Sequence, residues 1–173
     1  MIERSSRRFS ALRLASVARA LLDAAPLCAI ATVDAKGRAY VNTAYFAWSP
    51  EFDIVWISAP EATHSRNVAS RPGAAVAVHD SHQTWGRPDR GIQLFGSARM
   101  LSGAAADEAG RVYAARFRDY EARNLRATRV YRLRPRRVKL FDERALGSGV
   151  FVTAAVRRGS LEWLRTDLYR SEG

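Results

Sequence analysis

The chain has 173 residues, is 47% hydrophobic and 26% charged, and carries a formal net charge of +11, which describes one ordinary globular domain and, with the charge almost all arginine, favours an anionic ligand without naming one. A single cysteine, Cys28, in the apolar run Pro26–Val33, excludes a disulfide framework or cysteine-rich metal centre and reads as a buried structural thiol. No stretch approaches the roughly 20 apolar residues of a membrane span, so the expected home is the cytoplasm.

Met1–Ser10 is rich in arginine and serine, but Ala11–Ala25 keeps Arg13, Arg19 and Asp23 at amphipathic spacing, unlike a signal peptide. Ser10 can cap a helix whose Leu14, Val17, Ala18, Leu21 and Leu22 form one stripe, ended by Pro26. The period then changes. Leu27–Val33 reads as a buried strand, Asp34-Ala35-Lys36-Gly37 as a hairpin turn, and Arg38–Trp48 as the partner strand. Ser49-Pro50-Glu51 turns the chain into Phe52–Ser58, which makes a three-stranded meander. Arg71-Pro72-Gly73 is another turn, Ala74–Asp80 a fourth strand, and Ile92–Leu101 a fifth, with Gly96 at a bulge or close approach. Ala104–Arg126 has a helical pattern with Val112, Ala115, Phe117 and Tyr120 facing inward. Thr128–Leu133 and Arg137–Asp142 resume the sheet, and Val150–Val156 adds a last strand. Many short antiparallel strands with few helices predict a mainly β (α+β) fold, a closed barrel flanked by helices.

The segment "SAPEATHSRNVASRPG" abandons apolar packing for Thr63, His64, Ser65, Arg66 and Asn67 in succession. A strand ending at Ser58 that re-enters as a helix near Thr63 brings together free backbone N–H groups, a hydroxyl cap and the positive end of the helix dipole. Arg66 adds a permanent charge, and His64 a donor that a phosphate would keep protonated. Two readings fit: an anion cradle, and a solvated helix start with a threonine cap.

The stretches "CAIATVDAKGRAYVN", "IVWISAPEATHSRNVASRPGAAVAV" and "IQLFGSARML" resemble successive strands of the pyridoxamine 5′-phosphate oxidase-like split β-barrels that bind FMN. The resemblance lies in Ala31-Thr32-Val33-Asp34 with Gly37 at the opening hairpin, Ser58 ending a strand with His64 six residues on, Asn67–Arg71-Pro72 before the next strand, and Gly96-Ser97-Ala98. It implies a six-stranded or so antiparallel split barrel over residues 1–173, with an N-terminal helix near 10–25 and a C-terminal segment near 157–173. It also implies flavin contacts from Asn42, Thr43, Ala44, Ile57 and Ser58, phosphate contacts from Thr63, His64 and Ser65 with Arg66 and Asn67 beside them, and Phe141 where the oxidases place a tryptophan near the flavin. A homodimer with the flavin at the subunit interface is implied as well. Two departures speak against vitamin B6 oxidase activity itself. Asn42 and Ala47 stand where the oxidases carry Arg and Lys, and Thr63-His64 replaces their Arg-Lys phosphate pair, so phosphate charge falls to His64, Arg66 or an arginine of the other subunit.

Other groups read more plainly. His79, Asp80 and His82 lack a completing cluster, so no metal is expected. Ser81–Arg90 is long for a hairpin and suits a loop over a substrate face or a solvated turn. Tyr40, Tyr45, Phe46 and Trp48 suit a strand shared between core and subunit interface; with Arg38 alone beside them they make no nucleic-acid platform. Arg132, Arg134, Arg136 and Arg137 read as a solvated sheet edge. Hydrolase and nucleotidase motifs are absent. The expected function is an FMN-dependent oxidoreductase of a small molecule, in which the flavin carries the electrons. The alternatives are a deazaflavin F420-dependent reductase and a non-catalytic flavin-binding or redox-sensing protein.

Overall fold

The computed structural model describes residues 1–118 and 127–170. In chain order the elements are β1 (Ile2–Ser5), α1 (Ala11–Asp23), β2 (Leu27–Val33), β3 (Ala39–Trp48), β4 (Ile54–Ser58), α2 (Thr63–Ser70), β5 (Gly73–His79), β6 (Arg90–Met100), α3 (Gly103–Arg116), β7 (Arg129–Asp142), α4 (Glu143–Leu146), β8 (Val150–Arg157) and β9 (Ser160–Tyr169). The strand order is β1-β9-β8-β7-β4-β3-β2-β5-β6, and a further β7–β6 pairing closes six of these strands into an antiparallel barrel with β1, β9 and β8 as additions. This is the expected class, and closure is the physical answer to unpaired strand edges. Of the described residues, those within Met1–Ala25, Ala77–Leu94 and Arg136–Gly173 form one compact unit, and those within Pro26–Val76 and Phe95–Pro135 a second.

In the first unit Ser10 caps α1, its hydroxyl oxygen accepting from the Arg13 N–H at 3.2 Å. The expected stripe Leu14, Val17, Ala18, Leu21 and Leu22 is buried, and α1 packs against β9. Two strands and a helical turn go beyond the sequence reading. β1 pairs with β9, Ile2 opposite Tyr169 and Ser5 opposite Thr166, and Asp142 caps α4 by accepting from the Ala145 N–H at 2.9 Å.

In the second unit Asp34 sets the hairpin: one carboxylate oxygen accepts from the N–H groups of Lys36 and Arg38, both at 2.9 Å, and Gly37 takes the positive φ of +82°. Cys28, Ile30 and Thr32 of β2 point inward and share their face with Ala44, Asn42 and Tyr40 of β3. The opposite face is covered at one end by α3, where Ala47, Val55 and Val130 pack with Leu101, Ala109 and Tyr113.

Several boundaries differ from expectation. β4 begins at Ile54 because Phe52, with φ +68°, closes the preceding turn by donating its N–H to the Ser49 carbonyl at 2.8 Å. α3 ends at Arg116. Its buried residues are Ala109 and Tyr113, four apart as a helical face requires; the expected Val112 and Phe117 pack partly buried against the same cluster, whereas Ala115 is exposed. The expected continuation through Tyr120 to Arg126 lies outside the described residues. β7 is one strand through Pro135: β4 pairs with Arg129–Leu133 and β8 with Arg137–Phe141, so on that side the proline sits between two ladders, where no N–H is asked for. The arginine run is therefore on an interior strand and not at a sheet edge. Among the described residues, no helix is long and apolar enough to cross a membrane.

Burial pushes the Cys28 thiol up from 9.0 to about 12, against a smaller opposing effect of Arg116. Alkylation of the native protein at pH 8 is expected to run about a thousandfold below the peptide rate, because a thiol raised from 9.0 to about 12 holds that much less thiolate. Labelling is expected to reach the peptide rate once urea unfolds the chain. A native thiol labelled at the peptide rate would contradict the burial.

Candidate functional site

β4 delivers Ser58 to the base of a short turn, Ala59–Ala62, from which α2 starts at Thr63. His64 lies six positions after Ser58, and the turn folds them together: Ser58 Oγ lies 2.7 Å from His64 Nε2. Ser65 Oγ donates to the same Ser58 oxygen at a long 3.4 Å. The cap of α2 is Ala62, which offers no side-chain acceptor. The expected hydroxyl cap is thus not formed; Thr63 is the first helical residue, and the leading N–H groups of α2 have no side-chain partner at the cap. Burial pushes the His64 ring below its ordinary 6.5, so near neutral pH it is an uncharged imidazole with one donor and one acceptor nitrogen.

The remaining expected residues divide by strand geometry. Arg66 is exposed, and its Nη1 donates to the Glu61 carbonyl, away from the Ser58–His64 pair. Asn67 is buried and its Nδ2 donates to Thr32 Oγ1 at 3.1 Å, which ties α2 to β2. Thr32 stood in the sequence only as part of the opening hairpin motif, with no contact assigned to it; the signal is a polar side chain at an inward position of an otherwise apolar strand. Asn42 and Ala44 share the inward face with Ile30 and Cys28. Asn42 Nδ2 donates to the Thr43 carbonyl at 3.3 Å, while its Oδ1 is a buried acceptor without a hydrogen-bond partner among the described residues. Thr43 faces the other way, between Val41 and Tyr45, which are 62% and 56% exposed. Ile57 also faces that way, beneath α3, at a hollow of about 450 Å³ lined with Leu101, Ala106, Arg111, Arg129 and Val130. Adjacent strand residues point to opposite faces, so Asn42, Thr43 and Ala44 cannot all present side chains to one ligand.

Phe141 belongs to the first unit, where its ring is 5.7 Å from that of Phe151 and fills the space a Cβ on Gly91 would need. In the same unit Asp80 Oδ1 accepts from the His82 N–H at 2.9 Å and lies 3.1 Å from its Nδ1, at the rim of a hollow of about 390 Å³ lined with Gln83, Arg87, Arg90 and Arg144. Among the described residues, no three His, Cys, Asp or Glu side chains gather as a metal would require.

Residues 14–142 match the family described as pyridoxamine 5′-phosphate oxidase. The chain belongs to that family. No curated protein matches it. Among solved structures, this pyridoxamine 5′-phosphate oxidase-like chain is similar to a heme binding protein from Mycobacterium smegmatis, with 22% identity and a TM-score of 0.65 over 86% of this chain and 59% of that one. It is also similar to the heme storage protein HutZ from Vibrio cholerae, with 19% identity and a TM-score of 0.57 over 68% and 87% of the two chains. An F420 reductase shares 20% identity and a TM-score of 0.52, over 68% and 91%. At such identities the likeness is one of fold, and the chain spans less than two thirds of the Mycobacterium protein's length.

Proposed function

We infer that the chain is a flavin-dependent oxidoreductase acting on a small molecule, with the FMN phosphate held at the first turn of α2. The observation that carries this reading is the hydrogen-bonded group Ser58, His64 and Ser65 set where leading helix N–H groups point the same way. The donor chemistry fits a phosphate: hydroxyls, an imidazole and main-chain N–H groups, with the exposed Arg66 on the same helix. The buried Asn42 Oδ1, without a partner among the described residues, fits as well, since a buried acceptor calls for a donor such as a flavin ring N–H. When bound, the flavin supplies hydride or electron transfer; the chain's residues bind its anionic tail, orient it and exclude water.

A second copy of the chain completes the reading. Leu27, Val41 and Tyr45 share one strand face and are 44%, 62% and 56% exposed, an apolar surface suited to covering by an identical subunit. Thr43 and Ile57 lie on that same side of their strands, where a flavin shared between subunits would meet them.

Visible absorption of the purified protein tests the cofactor. A flavin spectrum that survives gel filtration, with FMN released on denaturation, is the expected result. Fluorescent F420 bound in place of FMN would move the reading to an F420-dependent reductase, a class to which one fold neighbour belongs by name. A heme band would overturn it. Heme held by histidine needs an imidazole free to reach the iron, while His64 is tied to Ser58 and His79 and His82 are exposed. Turnover of NAD(P)H with an electron acceptor separates an enzyme from a flavin-binding sensor.

A further inference from the structure

Arg99 of β6 and Arg132 and Arg134 of β7 line a hollow of about 260 Å³ together with Pro72, Ser97 and Ala98. None of these residues belongs to the Ser58–His64 group. Spacing by two puts Ser97 with Arg99, and Arg132 with Arg134, on one face of each strand. Gly96 lets the two strands close up, since a Cβ there would overlap the Arg134 carbonyl oxygen.

The counter-charge is incomplete. Asp53 is 5% exposed, and its Oδ2 lies 3.4 Å from Arg132 Nε and 3.5 Å from Arg134 Nη2. Both are long for charge-assisted contacts, so a single carboxylate oxygen is shared between two guanidiniums whose other N–H groups remain available. Arg99 has no ion pair or hydrogen bond among the described residues. Asp53, Glu51 and Glu108 border Arg132 and Arg134 from a separate hollow of about 200 Å³, and Glu51 accepts from Ser49 Oγ at 2.9 Å. The larger hollow is thus lined by three arginines and by no carboxylate, and the three acids lie at the separate one.

We propose that this hollow binds a dianionic oxyanion, either free phosphate or the phosphate group of a small phosphorylated molecule. Three arginines lining one hollow without a carboxylate attract an anion, guanidinium forks match its tetrahedral oxygens, and Ser97 adds a hydroxyl donor at the rim. The site is distinct from the FMN cradle and does not depend on flavin binding.

Calorimetric titration with inorganic phosphate and with glycerol 3-phosphate, at constant ionic strength, tests this. Saturable binding of at least one is expected. Phosphate binding as tightly as the ester identifies the free ion as ligand, and preference for the ester identifies a phosphorylated molecule. Arg99→Glu is expected to weaken binding about tenfold or more, with Arg99→Gln as the milder variant should reversal disturb the fold. Arg136→Glu, at an exposed arginine outside the hollow, is expected to leave binding unchanged. The proposal is overturned if neither compound binds, if Arg99→Glu and Arg136→Glu weaken binding alike, or if binding disappears in Ser58→Ala/His64→Ala, which would put the anion in the cradle.

Discussion

Gly96→Ala is expected to destabilise the protein by about 3 kcal/mol or more, a large share of the roughly 5–15 kcal/mol that holds a domain together. The added Cβ would overlap the Arg134 carbonyl oxygen and would sit 2.7 Å from the Pro135 Cα and 2.8 Å from the Arg134 carbonyl carbon. All three are main-chain atoms, so no side-chain rotation relieves the overlap. The strands must separate, which breaks the β6–β7 pairing that closes the barrel. Gly73→Ala is the control, because a Cβ there meets nothing within 4 Å; it is expected to be neutral or slightly stabilising. Urea unfolding of both variants against the parent is the measurement. A Gly96→Ala protein with an unchanged midpoint would show that β6 and β7 do not approach as described.

Ser58→Ala combined with His64→Ala is expected to weaken FMN about 10- to 150-fold and to leave riboflavin, which lacks the phosphate, nearly unchanged. That factor follows from losing contacts to a charged group worth about 1.5–3 kcal/mol in total. A folding defect would weaken both ligands together, so the contrast isolates the phosphate. The pH dependence adds an independent sign. In the free protein burial holds His64 below 6.5; an adjacent phosphate favours the charged ring and raises that value. FMN binding then takes up a proton, and affinity rises as the pH falls from the pKa of the complex to the lower pKa of the free protein, levelling off beneath it. Without the ligand the same depressed pKa works against the fold: the unfolded chain binds the proton more readily, so stability declines as the pH drops below 6.5. His64→Ala is expected to remove this rise in FMN affinity at lower pH. Equal loss of FMN and riboflavin, or no loss of either, would leave α2 as a solvated helix start.

Local chemistry was legible in the chain itself. The Ser10 cap, the α1 stripe, the Asp34–Gly37 hairpin and the strand-to-helix change between Ser58 and Thr63 each depend on residues a few positions apart, where hydrogen bonding and side-chain periodicity act without help from the rest of the fold. The glycine at 96 could be singled out because a strand interior tolerates glycine poorly unless something approaches it. What approaches it could not be known, since Arg134 and Pro135 reach it only through the β6–β7 pairing. The same limit governs the candidate site. Sequence brought Ser58, His64, Ser65, Arg66 and Asn67 together as one polar group, and tertiary packing then divided them. Ser58 pairs with His64, Asn67 is spent on Thr32 across 35 positions, and Arg66 turns back to the Glu61 carbonyl. Likewise Arg132 and Arg134 look like surface charge in a linear reading, because the buried carboxylate that holds them, Asp53, is about 80 residues away. Side-chain type and spacing therefore determined which groups were available and which elements would carry them. Long-range strand pairing decided which faces they occupy and which partners they meet, because those contacts form only when distant segments close the barrel.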